Sequence, residues 1–123
     1  MSFQNITFKH TNSDTDSRIH NFVTQKLSVL EKYVDDVAVV KVEVEFEKVA
    51  PHNSGDICRV EINVVVGGTL YRAEQTKSTF EAAVDVAKDE LDQEMRRAHK
   101  KKHSMFRKGA RQIKDMMRFG SKE

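Results

Sequence analysis

The stretch "ICRVEINVVVGGTLYRAEQT", Ile57 to Thr76, decides the fold. Cys58, Val60, Ile62, Val64 and Val66 alternate with mostly polar residues, the period of a strand with one face in a core. Gly67-Gly68 then supplies the positive φ angles that a tight hairpin turn demands. "TLYRAEQT" is the returning strand. Just upstream, "VKVEVEFEK" (Val40 to Lys48) repeats the pattern. Val40, Val42, Val44 and Phe46 lie on one face, and Lys41, Glu43, Glu45 and Glu47 on the other. Period two with one wet face predicts an antiparallel strand.

Outward from these strands the period changes. From Ser17 to about Tyr33 the apolar residues Ile19, Phe22, Val23, Leu27, Leu30 and Val34 fall at helical spacing, with Asp16 placed to cap the start. From about Ser78 a second stripe follows: Phe80, Ala83, Val84, Ala87, Leu91, Met95 and Ala98. "FQNITFKH" (Phe3 to His10) is a further short strand, and Pro51 stands in a loop. The order β-α-β-β-β-α predicts an α+β domain over residues 1–103, one four-stranded sheet with two helices on one face. Residues 104–123 form a basic tail interrupted by Gly109 and Gly120. Its Ala110, Ile113, Met116 and Met117 would make a short amphipathic helix on binding.

The chain of 123 residues has room for one core, and its 33% charged content excludes a membrane-spanning class. No secretory signal opens it, and a single cysteine, Cys58, fits a reducing compartment, so the expected location is cytoplasmic. The formal net charge of +2 conceals an asymmetry. Residues 1–94 carry 10 Lys and Arg against 17 Asp and Glu, a net of −7, whereas residues 95–123 carry 11 against 2, a net of +9. A body of one sign with an end of the other points to a polyanionic partner.

The positive end begins at "MRRAHKKKH" (Met95 to His103), with Arg96, Arg97, Lys100, Lys101 and Lys102, and continues through Arg107 and Lys108. Cations at a helix C-terminus offset the macrodipole, but two or three would suffice for that. Such density costs stability unless an anion is bound, so these residues are expected to meet phosphate, Arg through forked contacts and Lys as a point charge. Lys26 falls inside the apolar arc of the first helix. Either its stem packs while its ammonium reaches water, or its head joins the same anion. His99 and His103 stand at a spacing that metal sites use, but the three lysines between them would repel a dication, so no metal is expected. Cys58 reads as a small core residue and Gly67-Gly68 as a turn rather than a phosphate loop. Nothing in the pattern suggests an enzyme, a cofactor or a small-molecule substrate. A membrane is not expected either, since the apolar face of the tail is short and interrupted.

"IHNFVTQKLSVLEKY" (Ile19 to Tyr33), the alternating strands, the Gly-Gly turn and "STFEAAVDVAKDELDQEMRRAHKKK" (Ser78 to Lys102) together resemble the ribosome hibernation promoting factors, the ribosome-associated inhibitor or sigma-54 modulation family. The resemblance covers roughly Asn5 to His103 and is to the short form, without the second domain by which extended relatives join two ribosomes. It implies a fold like that of double-stranded RNA-binding domains. It also implies binding of a monomer to the small (30S) ribosomal subunit through 16S rRNA, across the paths of messenger RNA and of A- and P-site transfer RNA, so that translation stops and idle ribosomes are preserved. Carried over by position, the rRNA contacts would be Lys26 and Lys32 in the first helix and Arg97, His99 and Lys101 in the second. His20 stands where many relatives have Arg or Lys. Glu90 and Glu94 stand where relatives often have Lys and Gln, so the charge has moved toward the helix end. A generic double-stranded RNA-binding module, and a domain that docks an acidic protein, are the rival readings.

Overall fold

The computed structural model describes residues 6–34, 40–49 and 55–120, with side chains as far as Met105. Strand β1 (Ile6–Thr11) leads to helix α1 (Ser17–Leu27) and a 3-10 segment (Ser28–Tyr33). Strands β2 (Val40–Lys48), β3 (Cys58–Val66) and β4 (Thr69–Lys77) follow, and helix α2 (Phe80–Gly120) closes the chain. This is the expected β-α-β-β-β-α order. The start of the first predicted strand, Phe3 to Asn5, and the Pro51 loop lie outside the described residues.

The sheet runs β1-β2-β3-β4. β2 pairs antiparallel with β3, and β3 with β4, through a two-residue turn in which Gly67 and Gly68 have φ of +54° and +89°. That turn twists with the strands, which is why two glycines are used. On its other side β2 pairs parallel with β1, Ile6 opposite Val42 and Phe8 opposite Val44. Alternation alone marks a half-buried strand and not the direction of each neighbour. The direction follows from α1, which carries the chain back to the starting end of the sheet.

Asp16 caps α1, its Oδ1 accepting from the Ile19 N–H at 3.1 Å. The predicted single helix to Tyr33 instead tightens at Ser28, whose hydroxyl donates to the Gln25 carbonyl at 2.6 Å. A side-chain bond of this kind competes with the helical ladder, and the narrower 3-10 turn takes over. Leu30 is still delivered to the core, and Tyr33 is turned toward α2. On α2 the Thr79 hydroxyl accepts from the Ala82 N–H at 3.1 Å, starting the helix just inside the predicted position.

The core lies between one sheet face and both helices. Val23, Leu27 and Leu30 meet Val42, Val44, Phe46, Val60, Ile62 and Val64, with Phe80, Ala83, Val84, Ala87, Leu91 and Met95 of α2 alongside. Cys58 belongs to this layer; burial is the main force raising its thiol pKa, which suits packing rather than nucleophilic work. Among the described residues no buried side-chain polar atom lacks a partner.

The opposite sheet face is open and charged. Cross-strand register sets Glu45 opposite Glu61, and Glu61 opposite Glu74, an unfavourable ladder of like charges. Arg59 resolves it, with Nη1 at 3.4 Å from Glu45 and 3.1 Å from Glu47, and Nη2 at 2.7 Å from Glu61 and 2.9 Å from Glu74. Arg72 adds contacts to Glu61 at 3.0 Å and Glu74 at 3.2 Å. The Glu74 carboxyl is held below its ordinary value of 4.5 chiefly by the Arg59 hydrogen bond. For Glu61 partial burial opposes ionisation, but hydrogen bonds from Asn63 and Arg59 outweigh it and its pKa is also lowered.

Depressed carboxylate values mean stability that is full above about 4.5 and lost as pH falls through the lower folded-state values. Arg59→Met is therefore expected to cost roughly 1–3 kcal/mol at pH 7, after discounting the partly exposed partners. It should also flatten the acid limb of the stability curve. Urea melts of both proteins at pH 7 and pH 3 check this, and an unchanged acid limb would remove Arg59 from that role.

Candidate nucleic-acid interface

The core ends where the positive charge begins. Met95 is 2% exposed and is the last buried residue of α2 among those described; Arg96, Arg97, Lys100, Lys101 and Lys102 that follow are all exposed. The helix itself does not end. It was expected to stop near His103, and its backbone continues to Gly120. Ala110, Arg111, Gln112, Lys114 and Met116 are good helix formers, and one interior glycine, Gly109, costs only about 1 kcal/mol. At about 1.5 Å per residue, 41 residues make a rod roughly 60 Å long, against about 30 Å for a nine-residue strand.

That continuation changes the electrostatic reading. A macrodipole acts only within the last turn, and Lys102 is far from the C-terminus at Gly120, so the run from Arg96 to Lys102 is not charge compensation at a helix end. Instead Arg96 and Lys100, and Arg97 and Lys101, are like charges four residues apart, an arrangement that costs helix stability. Arg107 and Lys108 lie farther along the same helix, with side chains outside the described residues.

The first helix brings part of its predicted set to this place. Tyr33 donates from its hydroxyl to Asp92 Oδ1 at 2.9 Å, tying the end of the 3-10 segment to α2. Lys32 Nζ lies 5.2 Å from the Tyr33 ring centroid, and the His99 ring lies 5.8 Å from it on the other element. Lys32 and His99 therefore share one neighbourhood at the root of the cationic rod. Lys26 sits farther back in the α1–α2 seam, 3.0 Å from Asp85 and 5.4 Å from the Phe22 ring. Its ammonium has a carboxylate partner already, with 38% of its side chain exposed.

His20 stands apart. Its ring stacks on Phe8 at 4.0 Å and lies 6.1 Å from Phe46, which meets Phe80, the first residue of α2. Its Nε2 is 2.8 Å from Thr15 Oγ1, and the same hydroxyl contacts His10. The sixteen helical steps from Phe80 to Arg96 span roughly 24 Å, so His20 is at the opposite end of the domain from the basic run. Sequence reasoning missed Tyr33 as a member of the cluster, placed His103 at the end of the basic run without counting it among the rRNA contacts, and missed the Arg59 network altogether. The one available signal was an aromatic residue beside a lysine in "LEKY".

On the exposed side of α2 the rod changes sign, with Glu81, Asp89, Glu90 and Glu94 before Met95 and cations after it. On the open sheet face Glu45, Glu47, Glu61 and Glu74 are matched by Arg59 and Arg72, and on α2 Asp89 is paired with Lys88 at 2.7 Å. Among the described residues no cluster of His, Cys, Asp and Glu has the makings of a metal site. No helix among them is long and apolar enough to cross a membrane.

Comparison with known proteins gives a consistent result. Residues 4–103 match the model of the family described as sigma 54 modulation protein / S30EA ribosomal protein. A ribosome hibernation promotion factor from Deinococcus radiodurans is 30% identical over 86 residues, 70% of this chain and 44% of that protein. The chain thus spans less than half the length of that relative. Among solved structures, the N-terminal domain of Thermus thermophilus Protein Y is 28% identical, with a TM-score of 0.63 over 76% of this chain and 98% of that one. A ribosomal subunit interface protein from Coxiella burnetii shares the fold at 14% identity, with a TM-score of 0.58 over 76% of this chain and 94% of its own. With its four strands, its first helix and α2 as far as the root of the cationic rod inside the matched region, the chain belongs to the sigma 54 modulation protein / S30EA ribosomal protein family.

Proposed function

We propose that this protein is a ribosome hibernation factor that seats the cationic part of α2 on 16S rRNA of the small (30S) subunit. There it occupies the path of messenger RNA and of A- and P-site transfer RNA and so inhibits translation. The observation that carries this reading is the coincidence at Met95: it is the last buried residue of α2 among those described, the helix goes on, and the charge turns positive. A rod that leaves its core with exposed Arg and Lys is suited to enter a groove lined by phosphate.

The contacts proposed are Lys32, Arg96, Arg97, His99, Lys100, Lys101 and Lys102, extended by Arg107 and Lys108. Lys26 would join by exchanging Asp85 for phosphate. His20 would make a separate contact at the far end of the domain. Family membership supports a binding factor rather than an enzyme, and the action is competition for space, with no chemical step. Affinity comes from phosphate neutralisation and counterion release, so it falls with salt by a logarithmic slope of roughly −0.7 to −0.9 per phosphate.

Sucrose-gradient cosedimentation with 30S subunits, 50S subunits and whole ribosomes, at about 50 and 200 mM salt, tests the proposal. The protein is expected with 30S subunits and whole ribosomes and to be released at the higher salt; for five phosphates the loss in affinity would be roughly 100- to 500-fold. Free migration past ribosomes at low salt would end the reading. Competition by free duplex RNA as strong as that by 30S subunits would favour the generic double-stranded RNA module instead.

A further inference from the structure

At the root of the cationic rod, three rings stand where phosphate neutralisation alone requires none. Tyr33 is pinned to Asp92, His99 packs on Tyr33 at 5.8 Å with a 60° tilt, and His103 lies 4.3 Å from His99 with a 57° tilt. Two imidazoles four residues apart share one helix face. Tilted as they are, they do not cover one another as parallel rings would. They border an open hollow of about 490 Å³ that, among the described residues, is also lined by Lys100 and Ser104. That size is within the range of small-ligand sites.

The geometry points to a site for one unpaired RNA nucleotide, and we propose that its base stacks on His103, which the tilted His99 ring backs, while Lys100 takes its phosphate. Ser104 offers a hydroxyl to the base edge. Base face, base edge and phosphate thus meet three chemistries on two successive helix turns. Rings and cations in alternation are the means by which proteins hold single-stranded RNA, because every base has a π face and only an unpaired base exposes it. A duplex would offer phosphate to Lys100 but no face to His103. The inference rests on the RNA-binding reading above and narrows its target to a looped-out or single-stranded nucleotide. It also gives Tyr33 a positioning role, since its hydroxyl bond to Asp92 fixes the ring on which His99 rests.

The alternative for the same residues is that His99 and His103 act only as extra cations. Three variants of the full chain separate the two: His103→Ala, His103→Phe and His103→Lys. His103 is exposed, so each is expected to fold, with circular dichroism as the check. The probe is a short single-stranded RNA carrying one 2-aminopurine, with its matched duplex for comparison. Stacking should quench the fluorophore in the single strand and not in the duplex.

The parent and the Phe variant are expected to bind and quench alike. The Ala and Lys variants are expected to bind roughly tenfold more weakly, within the range found when a stacking ring is removed. Rescue by Lys and not by Phe overturns the proposal, as does unchanged quenching in the Ala variant. Cosedimentation of each variant with ribosomes distinguishes this failure from that of the broader reading. Ring-independent ribosome binding sinks only the stacking site. Ring-dependent quenching with no ribosome binding sinks only the ribosome assignment.

Discussion

Replacement of Arg96, Arg97, Lys100, Lys101 and Lys102 together by Ala is expected to weaken ribosome binding by about two to three orders of magnitude at low salt, and to leave the domain folded. The size follows from counterion release. Five fewer neutralised phosphates remove roughly −3.5 to −4.5 from the slope of log affinity against log salt, so the variant should also be much less sensitive to salt than the parent. The fold is spared because all five side chains are exposed and, among the described residues, the last buried one of α2 precedes them.

Stability should even rise by a few tenths of a kcal/mol, since the change removes like-charge pairs four residues apart and installs the best helix former. A gain in stability with a loss in binding is the signature of residues kept for a partner. The measurements are a thermal melt and a cosedimentation series at several salt concentrations. Normal binding by the folded variant would place the interface elsewhere.

Phe46→Ala is expected to have the largest effect on the fold itself. Phe46 is fully buried, and its ring lies 6.1 Å from Phe8, 5.6 Å from His10, 6.1 Å from His20 and 5.3 Å from Phe80. It therefore joins β1, α1 and the start of α2 through one side chain on β2. Truncation of a core Phe costs about 3–5 kcal/mol, because the cavity left behind adds to the lost burial. Against a total of about 5–15 kcal/mol for a small domain, this removes a large share of the stability. Urea titration followed by circular dichroism measures it. Leu70→Ala is the control, since Leu70 is 55% exposed and its truncation is expected to fall within about 0.5 kcal/mol of the parent. A loss below about 1 kcal/mol for Phe46→Ala would mean that the ring cluster is not the junction described.

The strands were legible because their period is unambiguous. Val42, Val44, Phe46, Cys58, Val60, Ile62 and Val64 all fall on the face the alternation assigns to the core, and all are buried. The helical stripe from Phe80 to Met95 was equally plain. Two local features were not. The 3-10 segment after Leu27 depends on a hydroxyl choosing a backbone carbonyl, a choice that spacing does not record. The continuation of α2 past His103 depends on one glycine being tolerated among good helix formers, and a glycine reads the same whether it breaks a helix or only weakens it.

The site divides in the same way. The density of Arg and Lys after Met95 is a property of the sequence, and it alone implied an anionic partner. Its meaning depended on where the core stops and where the helix ends, and both are tertiary facts. Spacing set Lys26 inside the apolar arc of the first helix, but it did not tell which partner each of His20, Lys26 and Lys32 would meet. Packing set one beside Phe8, one against Asp85 and one beside Tyr33 and His99.

What the chain determined by itself, then, is which residues are apolar, at what period, and where the charge changes sign, because burial and repulsion act on local composition. What the tertiary structure alone decided is which charges have partners and which rings meet. Those depend on distances between segments far apart in sequence, such as Tyr33 and Asp92 or Arg59 and Glu74, which come within 3 Å only once the sheet and helices have packed.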